Sequence, residues 1–299
     1  MLARKLQIAI IFSISAALVW FFYFWNTSAP VAIIGGLIFL LNFAPLLGLQ
    51  FLISRHINKK EPAAPLASNV ELVQAWWKEV LVAPIAFCWR QAFRSNQVPD
   101  AVDDAFGQRG RRGVVFVHGF ICNRGMWTPW MARLQKQKRA FVAVNLEPVF
   151  GSIDDYPACI EDAVQKVTVA TGVPPLLVCH SMGGLAARAW LRSAEGNDAR
   201  VHHVITIGSP HQGTWIGLTK VPANMKQMKI GSDWLKQLAG SEPAERYKRF
   251  TCFYSNCDNI VFPTLTATLP GADNRHVAGD PHLVMLFNQS VMNSSLAKL

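Results

Sequence analysis

The sequence predicts an α/β protein: a mostly parallel sheet with helices on both faces and a cap insertion, preceded by two apolar N-terminal helices. From residue 113 onward, short runs rich in β-branched residues alternate with helix-like stretches, an order typical of a parallel sheet covered on both faces. Residues 6–25 and 29–53 are uncharged, and each run is long enough to cross a bilayer as a helix. We divide the chain into a transmembrane helical hairpin (1–60), juxtamembrane helices and a linker (61–112), and a main domain (113–299).

The two apolar runs predict a hairpin with both ends on one side of the membrane. Only residues 26–28 separate the runs, and Asn42 and Pro45 interrupt the second. Lysine and arginine residues flank the outer ends of the pair and are absent from the turn. By the positive-inside rule both ends then face the cytoplasm. We expect a multi-pass protein of a bacterial inner (cytoplasmic) membrane, with the main domain on the cytoplasmic side.

A secretory signal peptide is the alternative, because residues 27–29 (Thr-Ser-Ala) are compatible with a cleavage site. The first run, however, exceeds the usual apolar core of such a peptide, and a second run follows at once. Two buried helices of a soluble protein are a further alternative, but these would carry polar residues on at least one face. The sequence favours the hairpin.

A helix is expected to begin at Ser68, because Ser68 and Glu71 have the spacing of a capping box. Pro84 is expected to break or bend this helix. Tryptophans and basic residues cluster along it, which suits either a helix at the lipid headgroups or one packed on the main domain. These are Trp76, Trp77, Lys78, Trp89, Arg90 and Arg94. Residues 95–112 are polar and are interpreted as a connection.

Within the main domain the pattern predicts five strands and four helices. Strands are expected at 114–117, 141–145, 176–179, 203–207 and 250–254, and helices at 126–136, 156–170, 181–193 and after Pro281.

Charge and cysteine content argue against several classes of function. The formal net charge is +10, but residues 1–60 contribute five basic and no acidic residues. The remainder has an ordinary balance and lacks the signatures of nucleic-acid-binding modules, so we expect a bilayer and not nucleic acid as partner. The six cysteines are scattered, and free thiols are preferred over three disulfides in a domain of this size.

Residues 176–184 (LLVCHSMGG) carry the strongest chemical signal. A hydroxyl nucleophile needs a sharp turn from strand to helix with small neighbours, and Ser181 stands at such a turn before Gly183 and Gly184. The stretch resembles the nucleophile elbow of α/β-hydrolases, G-x-S-x-G, with Cys179 in place of the first glycine. A purely structural turn is the alternative for this motif taken alone.

Residues 113–120 (GVVFVHGF) supply a second signal, a strand that ends in His-Gly. In the α/β-hydrolase architecture this strand end and the residue after the nucleophile donate backbone N–H groups to an oxyanion hole. The candidates are Phe120 and Met182. His118 precedes the serine in the chain and is interpreted as an orienting or packing residue.

The acid and the base are expected after the serine in the chain, in the order Ser, Asp or Glu, His. Asp258 follows the last strongly apolar strand and is the candidate acid. His282 begins the terminal helix and is the candidate base. His276 is the alternative base, and either histidine is also compatible with a structural role.

Together these stretches make residues 113–290 similar to serine lipases and esterases of the α/β-hydrolase family, in particular to bacterial triacylglycerol-lipase-like proteins. The matching motifs are 117–120 with 123–125, 179–184 and 205–213. In the last motif the resemblance assigns Ser209, Pro210 and His211 to the scaffold of the site. The apolar N-terminal hairpin lies outside the match.

The insertion at about 211–248 mixes bulky apolar residues with lysines. An insertion at this place commonly forms a cap or lid in the family. Its methionines and tryptophans can line an acyl-chain pocket and its lysines can meet anionic headgroups. A helical cap with a solvated lysine face is the alternative.

The resemblance implies a serine hydrolase of carboxylic esters, with lipid or other acyl esters as substrates, and the apolar hairpin implies that it is anchored in the membrane. The implied mechanism uses Ser181, His282 and Asp258 through an acyl-enzyme and requires no metal or organic cofactor. An acyltransferase or thioesterase with the same triad, and a catalytically silent membrane scaffold, remain alternatives. The sequence leaves the oligomeric state and the physiological substrate open.

Overall fold

A computed structural model describes residues 2–61, 63–103, 109–194 and 196–299. Residues 104–108 of the expected connection therefore lie outside the described residues. The strands are β1 Val114–Val117, β2 Phe141–Ala143, β3 Leu176–His180, β4 His203–Ile207, β5 Phe250–Tyr254 and β6 Asp273–His276. The helices are α1 Leu2–Trp25, α2 Ala29–Leu41, α3 Phe43–Asn58, α4 Asn69–Ala83, α5 Thr128–Lys136, α6 Pro157–Thr171, α7 Met182–Ser193, α8 Ala223–Gln227, α9 Asp233–Gly240, α10 His282–Met285 and α11 Gln289–Leu296.

The six strands form one parallel sheet in the order β2-β1-β3-β4-β5-β6. Successive side chains of β1 enter opposite cores, with Val115 and Val117 on one face and Val114 and Phe116 on the other. Helices α6 and α7 cover the first face, whereas α5 and α11 cover the second. Burial of both faces explains why these strands are almost continuously apolar. The predicted α/β architecture is confirmed.

The five predicted strands are present, with β2 ending at Ala143 rather than at residue 145. A sixth strand, β6, was not predicted. It is an edge strand with the sequence DNRH, and its residues are mostly exposed. Such a strand shows no apolar pattern, because neither of its faces is fully buried. The final predicted helix is also divided, into α10 and α11.

The N-terminal region differs from two straight spans. Helix α1 has 24 residues and contains an 18-residue window with a mean hydropathy of 2.1, and it alone among the described residues is long and apolar enough to cross a membrane as a single helix. The second run consists of α2 and α3, which meet at a bend of 53°. Pro45 explains the break, because its ring conflicts with the carbonyl of residue 41 in a continuous helix. The side chain of Asn42 donates to the Phe39 carbonyl oxygen at 3.0 Å, which stabilises the bend.

The capping box is formed as predicted, and it begins α4. The Ser68 hydroxyl accepts from the Glu71 amide, and the Glu71 carboxylate accepts from the Ser68 amide at 2.8 Å. The α-helix ends at Ala83, immediately before Pro84, as expected, and a π-helical segment, Pro84–Gln91, continues the chain from there. Pro84 has no N–H to donate to the Val80 carbonyl, so the α-helical hydrogen-bond pattern cannot continue through it.

The insertion between β4 and β5 contains α8, α9 and the 3₁₀ helix Ala244–Arg249. A buried ion pair ties it to α7. The Arg188 guanidinium donates to both Glu242 carboxylate oxygens, and the Tyr247 hydroxyl donates to the same carboxylate at 2.8 Å. Both charged side chains are at most 1% exposed, so each depends on the other for its solvation.

Replacing Arg188 by leucine is therefore expected to lower the free energy of unfolding by about 3–5 kcal/mol, because it removes the closest counter-ion of the buried Glu242 carboxylate and leaves only the Arg246 Nη1, 3.9 Å away. Urea unfolding followed by circular dichroism measures the change. Asp162→Asn is the control, since Asp162 pairs with Lys166 on the surface with both side chains more than half exposed. That variant should stay within about 0.5 kcal/mol of the wild type. Equal effects in the two variants would contradict the assignment of the buried pair.

Candidate active site

The strand order reverses between β1 and β3, because the chain runs from β1 to β2 on one side and then returns to the other side of β1. In an open parallel sheet, such a switch point creates a crevice at the carboxyl ends of the strands. The His-Gly end of β1 and Ser181 after β3 meet there. Topology alone thus brings together two of the predicted motifs.

Ser181 occupies a tight turn between β3 and α7. Its φ of 54° and ψ of −129° lie where residues other than glycine are rarely found. The Ser181 amide donates to the Ile207 carbonyl at 2.9 Å, which holds the turn against β4. Cys179 is buried in the core beneath, so a small side chain suffices where the elbow motif has glycine. The geometry is that of a strained strand-to-helix corner that presents a hydroxyl.

The end of β1 lies directly against this serine. A Cβ atom placed on Gly119 would stand 2.7 Å from the Ser181 Cβ and 3.3 Å from its Oγ, so only glycine fits. The next residue, Phe120, lines the same cavity as Ser181. Met182 is the first residue of α7, and its amide therefore needs no intrahelical acceptor. Both proposed N–H donors thus belong to residues that adjoin Ser181.

Asp258 and His282 form a buried pair. The His282 Nδ1 lies 2.9 Å from the Asp258 Oδ2 and 3.1 Å from its Oδ1. The Asp258 Oδ1 also accepts from the amides of Ile260 and Val261, at 2.8 Å each. These bonds fix the carboxylate, and the carboxylate in turn selects the tautomer of His282 with its proton on Nδ1.

Gly208 connects this pair with the serine turn. It follows Ile207, has a φ of +57°, and a Cβ there would lie 3.0 Å from the His282 Nδ1 and 3.1 Å from the Asp258 Oδ2. The absence of a side chain at Gly208 therefore lets the pair approach β4, whose last carbonyl holds Ser181. The structure thus gathers Ser181, Asp258 and His282 at one end of the sheet.

The other histidines near the motifs have structural partners. Buried His118 contacts the Gly119 carbonyl through Nδ1 at 2.9 Å, and its Nε2 accepts from the Leu146 amide at 3.0 Å. Burial lowers the pKa of His118 to about 4, which keeps it neutral and suits the orienting role inferred from its position.

His211 lies with its Nε2 2.9 Å from the Thr206 hydroxyl, within the scaffold that the resemblance implied. His276 is an exposed residue of β6 whose ring packs on Tyr254. Of His276 and His282, it is His282 that contacts Asp258.

Asp258 also changes the protonation of His282. Burial by itself lowers the pKa of His282, but the negative charge and hydrogen bond of Asp258, together with the charge of Glu79, raise the pKa above its ordinary value. The adjacent His180 would lower the pKa of His282 only if it were itself charged. Burial keeps the pKa of His180 well below its ordinary value, so it stays neutral. The Asp258–His282 pair is therefore arranged to favour a protonated imidazole.

A cavity of about 300 Å³ opens on Ser181. Its wall is almost entirely apolar, and it combines the cap insertion, the loop after β5 and, unexpectedly, helix α3. The lining residues are Gln50, Ile53, Phe120, Ser181, Pro210, Thr214, Trp215, Ile216, Gly217, Leu218, Met225, Met228, Asn259, Ile260, Val261 and Phe262.

Sequence reasoning missed three residues that adjoin this site. Gln50 and Ile53 of α3 were assigned only to a membrane span, although they line the cavity. Glu79 of α4 is buried beside α10. No local motif marks any of them, because their role depends on how α3 and α4 pack on the main domain. Glu79 is the second acidic residue of α4, after Glu71, and its place in the helix sequence does not mark it as part of a site.

Replacing Asp258 by asparagine is expected to lower the pKa of His282, because it removes the charge and the ionic hydrogen bond that raise it. NMR titration of the histidine Cε1 protons measures the shift, with His282→Gln to assign the resonance. The exposed His276 provides the internal control, and its titration should not move. An unchanged pKa of His282 in Asp258→Asn would contradict the described pairing.

Comparison with known proteins agrees with this architecture. A family model described as the alpha/beta hydrolase family matches residues 114–288. The fold is similar to the mature form of Bacillus licheniformis lipase BlEst2, with a TM-score of 0.54, 18% identity, and coverage of 64% of this chain and 93% of that one. It is also similar to Aspergillus fumigatus lipase B, with a TM-score of 0.53, 17% identity, and coverage of 62% of this chain and 52% of that one.

The chain thus spans about half the length of the Aspergillus lipase. No curated protein matches it. At these identities the likeness to solved structures shows the fold alone. The family match covers more than half of the chain, and this chain accordingly belongs to the alpha/beta hydrolase family.

Proposed function

We propose that this protein is a membrane-anchored serine hydrolase that cleaves carboxylic esters of lipids. The observation that carries the proposal is the convergence of the Ser181 turn and the Asp258–His282 pair around Gly208. Family membership makes a hydrolase the natural expectation, but fold alone does not specify the reaction. The assignment therefore rests on these residues.

In the proposed reaction the His282 Nε2 accepts the proton of the Ser181 hydroxyl while Oγ attacks the acyl carbonyl carbon. Asp258 holds the imidazole and stabilises its protonated form. The backbone N–H groups of Phe120 and Met182 stabilise the oxyanion. Collapse of the tetrahedral intermediate breaks the ester C–O bond, and the imidazolium protonates the departing alcohol. Water, deprotonated by His282, then releases the acid and restores Ser181.

The cavity supports an acyl chain as the group bound beside Ser181. Trp215 and Phe262 stack with ring centroids 6.1 Å apart, and Met225 and Met228 add adaptable apolar surface. Among the lining groups, few are polar and none is charged. Two proteins of similar fold are described as lipases, which agrees with this substrate class.

Ser181→Ala is expected to reduce hydrolysis of p-nitrophenyl esters by roughly 10⁴-fold or more, because the nucleophile is removed. A series of esters of increasing chain length would measure both activity and acyl preference, and the apolar cavity predicts faster cleavage of longer chains. Ser193→Ala is the matched control, since Ser193 lies at the opposite end of α7 and donates to the Trp190 carbonyl. Wild-type activity that survives in Ser181→Ala would disprove the assignment of the nucleophile.

We also propose that the N-terminal helices anchor the enzyme in a bacterial cytoplasmic membrane as a multi-pass segment, with the catalytic domain on the cytoplasmic side. Helix α1 exposes a broad face of large apolar side chains, including Ile8, Phe12, Val19 and Phe22. Exposure of so many apolar side chains in water is unfavourable. The basic residues at the outer ends of the apolar runs favour the proposed orientation.

Val19→Asp is expected to reduce retention of the full chain in membranes after carbonate extraction, because a carboxylate within the span opposes insertion. Val169→Asp is the control, since Val169 of α6 is also 70% exposed but lies on the catalytic domain. It should leave retention unchanged. The intact mass of the extracted protein distinguishes an anchor from a signal peptide, since cleavage near residues 27–29 would remove α1. Full release of the wild type by carbonate would argue against the anchor.

A further inference from the structure

Helix α4 places a second buried carboxylate behind the candidate base. Glu79 is 4% exposed, and its Oε1 accepts from the backbone N–H of Leu283 at 3.2 Å. Leu283 follows His282 in the first turn of α10. The neighbouring Lys78 donates to the Gly279 carbonyl and to Asp280. Helix α4 therefore also contacts the segment that precedes His282.

Glu79 and the Asp258–His282 pair form one electrostatic group. Burial raises the pKa of Glu79 to about 7, an effect opposed by His282 and reinforced by Asp258. The same carboxylate raises the pKa of His282, after the larger influences of burial and of Asp258. The titratable groups that face Glu79 are thus His282 of α10 and Asp258 of the loop after β5, and Glu79 and His282 each favour the charged form of the other.

We propose that Glu79 is a positioning residue for His282, one that holds the first turn of α10 and stabilises the imidazolium formed during catalysis. The inference rests on the proposed function and extends it to a helix outside the region matched by the family, which begins at residue 114. Asp258 acts on the imidazole through Nδ1. Glu79 acts through the backbone of Leu283 and through its charge.

A purely structural cap does not account for a carboxylate at this position. A neutral amide oxygen would accept from the Leu283 amide equally well, without the penalty of burying a charge. The Glu79 Oε2 has no hydrogen-bond partner within the part of the chain that the structure describes. Without a partner charge a buried carboxyl is neutralised by protonation, and the His282 imidazolium is the positive charge that favours its ionised form.

The test is the pH dependence of labelling of the full-length protein by a fluorophosphonate, which reacts with an activated serine whatever the natural substrate. Labelling requires neutral His282, so its rate rises as pH increases through the pKa of that residue. Glu79→Gln keeps the acceptor for Leu283 but removes the charge. The acidic limb should therefore move to lower pH by about half a unit or more, and the plateau rate should fall roughly tenfold.

Two further variants separate charge from packing. Glu79→Asp keeps the charge and should retain an acidic limb close to that of the wild type. Asp162→Asn removes a surface carboxylate of α6 that pairs with Lys166, and it should leave the limb unchanged. If Glu79→Gln does not fold, the decision falls to Glu79→Asp, and a limb displaced in that variant overturns the inference.

The outcomes distinguish failure of the role proposed for Glu79 from failure of the proposed hydrolase function. If the wild type is labelled at Ser181 and Glu79→Gln has the wild-type pH profile and rate, the inference fails while the proposed function stands. If the wild type is not labelled, or labelling persists in Ser181→Ala, the proposed function fails and the inference falls with it.

Discussion

The burial of both faces of one parallel sheet is the constraint on which the rest of this structure depends. Parallel strands require crossover helices, and these helices cover the faces and send every strand in the same direction. All carboxyl ends therefore meet at one edge, and the loops that follow β1, β3, β4 and β5 become neighbours. Ser181, Gly208 and Asp258 each follow a different strand, yet they lie together for this reason.

The serine turn shows how that scaffold sustains local strain. A residue other than glycine in a sparsely populated φ/ψ region costs of order 1–3 kcal/mol, and Ser181 is such a residue. Its amide bond to Ile207 and the start of α7 hold it in place. The strained turn is thus held between the buried strands β3 and β4 and helix α7, where a nucleophile can be kept in one orientation.

Sequence could predict the parts of the molecule in which local pattern and tertiary role coincide. Apolar runs identified five strands, and the order of the motifs identified Ser181, Asp258 and His282 as candidates that the fold then placed together. Where tertiary packing and not local sequence pattern determines the structure, the structure was not predicted. Polar, exposed β6 has no apolar signature, and no pattern indicated the π-helical segment that follows Pro84. Glu79 lies on α4, and no residue spacing in the sequence indicates that α4 packs against α10.

The N-terminal helices belong to the site as much as to the proposed anchor. The Asn259 side-chain Nδ2 donates to the Gln50 Oε1 at 3.0 Å. The backbone N–H of Thr264 donates to the Asn58 Oδ1 at 3.0 Å. Helix α3 thus fixes the loop that carries Asp258, while α4 fixes the segment that carries His282.

Because Ile53 of the same α3 helix also lines the cavity, the element that would lie at the bilayer also forms a wall of the proposed acyl site. An acyl chain that reached Ser181 along α3 would leave the bilayer without crossing water, and its transfer would therefore carry little of the hydrophobic penalty that opposes extraction of a free lipid. The bend at Asn42 separates α3 from α2, so one apolar run can serve both purposes, with α2 packed on α1 and α3 packed on the domain. An anchor joined to the domain by a flexible linker would raise the local concentration of substrate, but it would not shape the pocket.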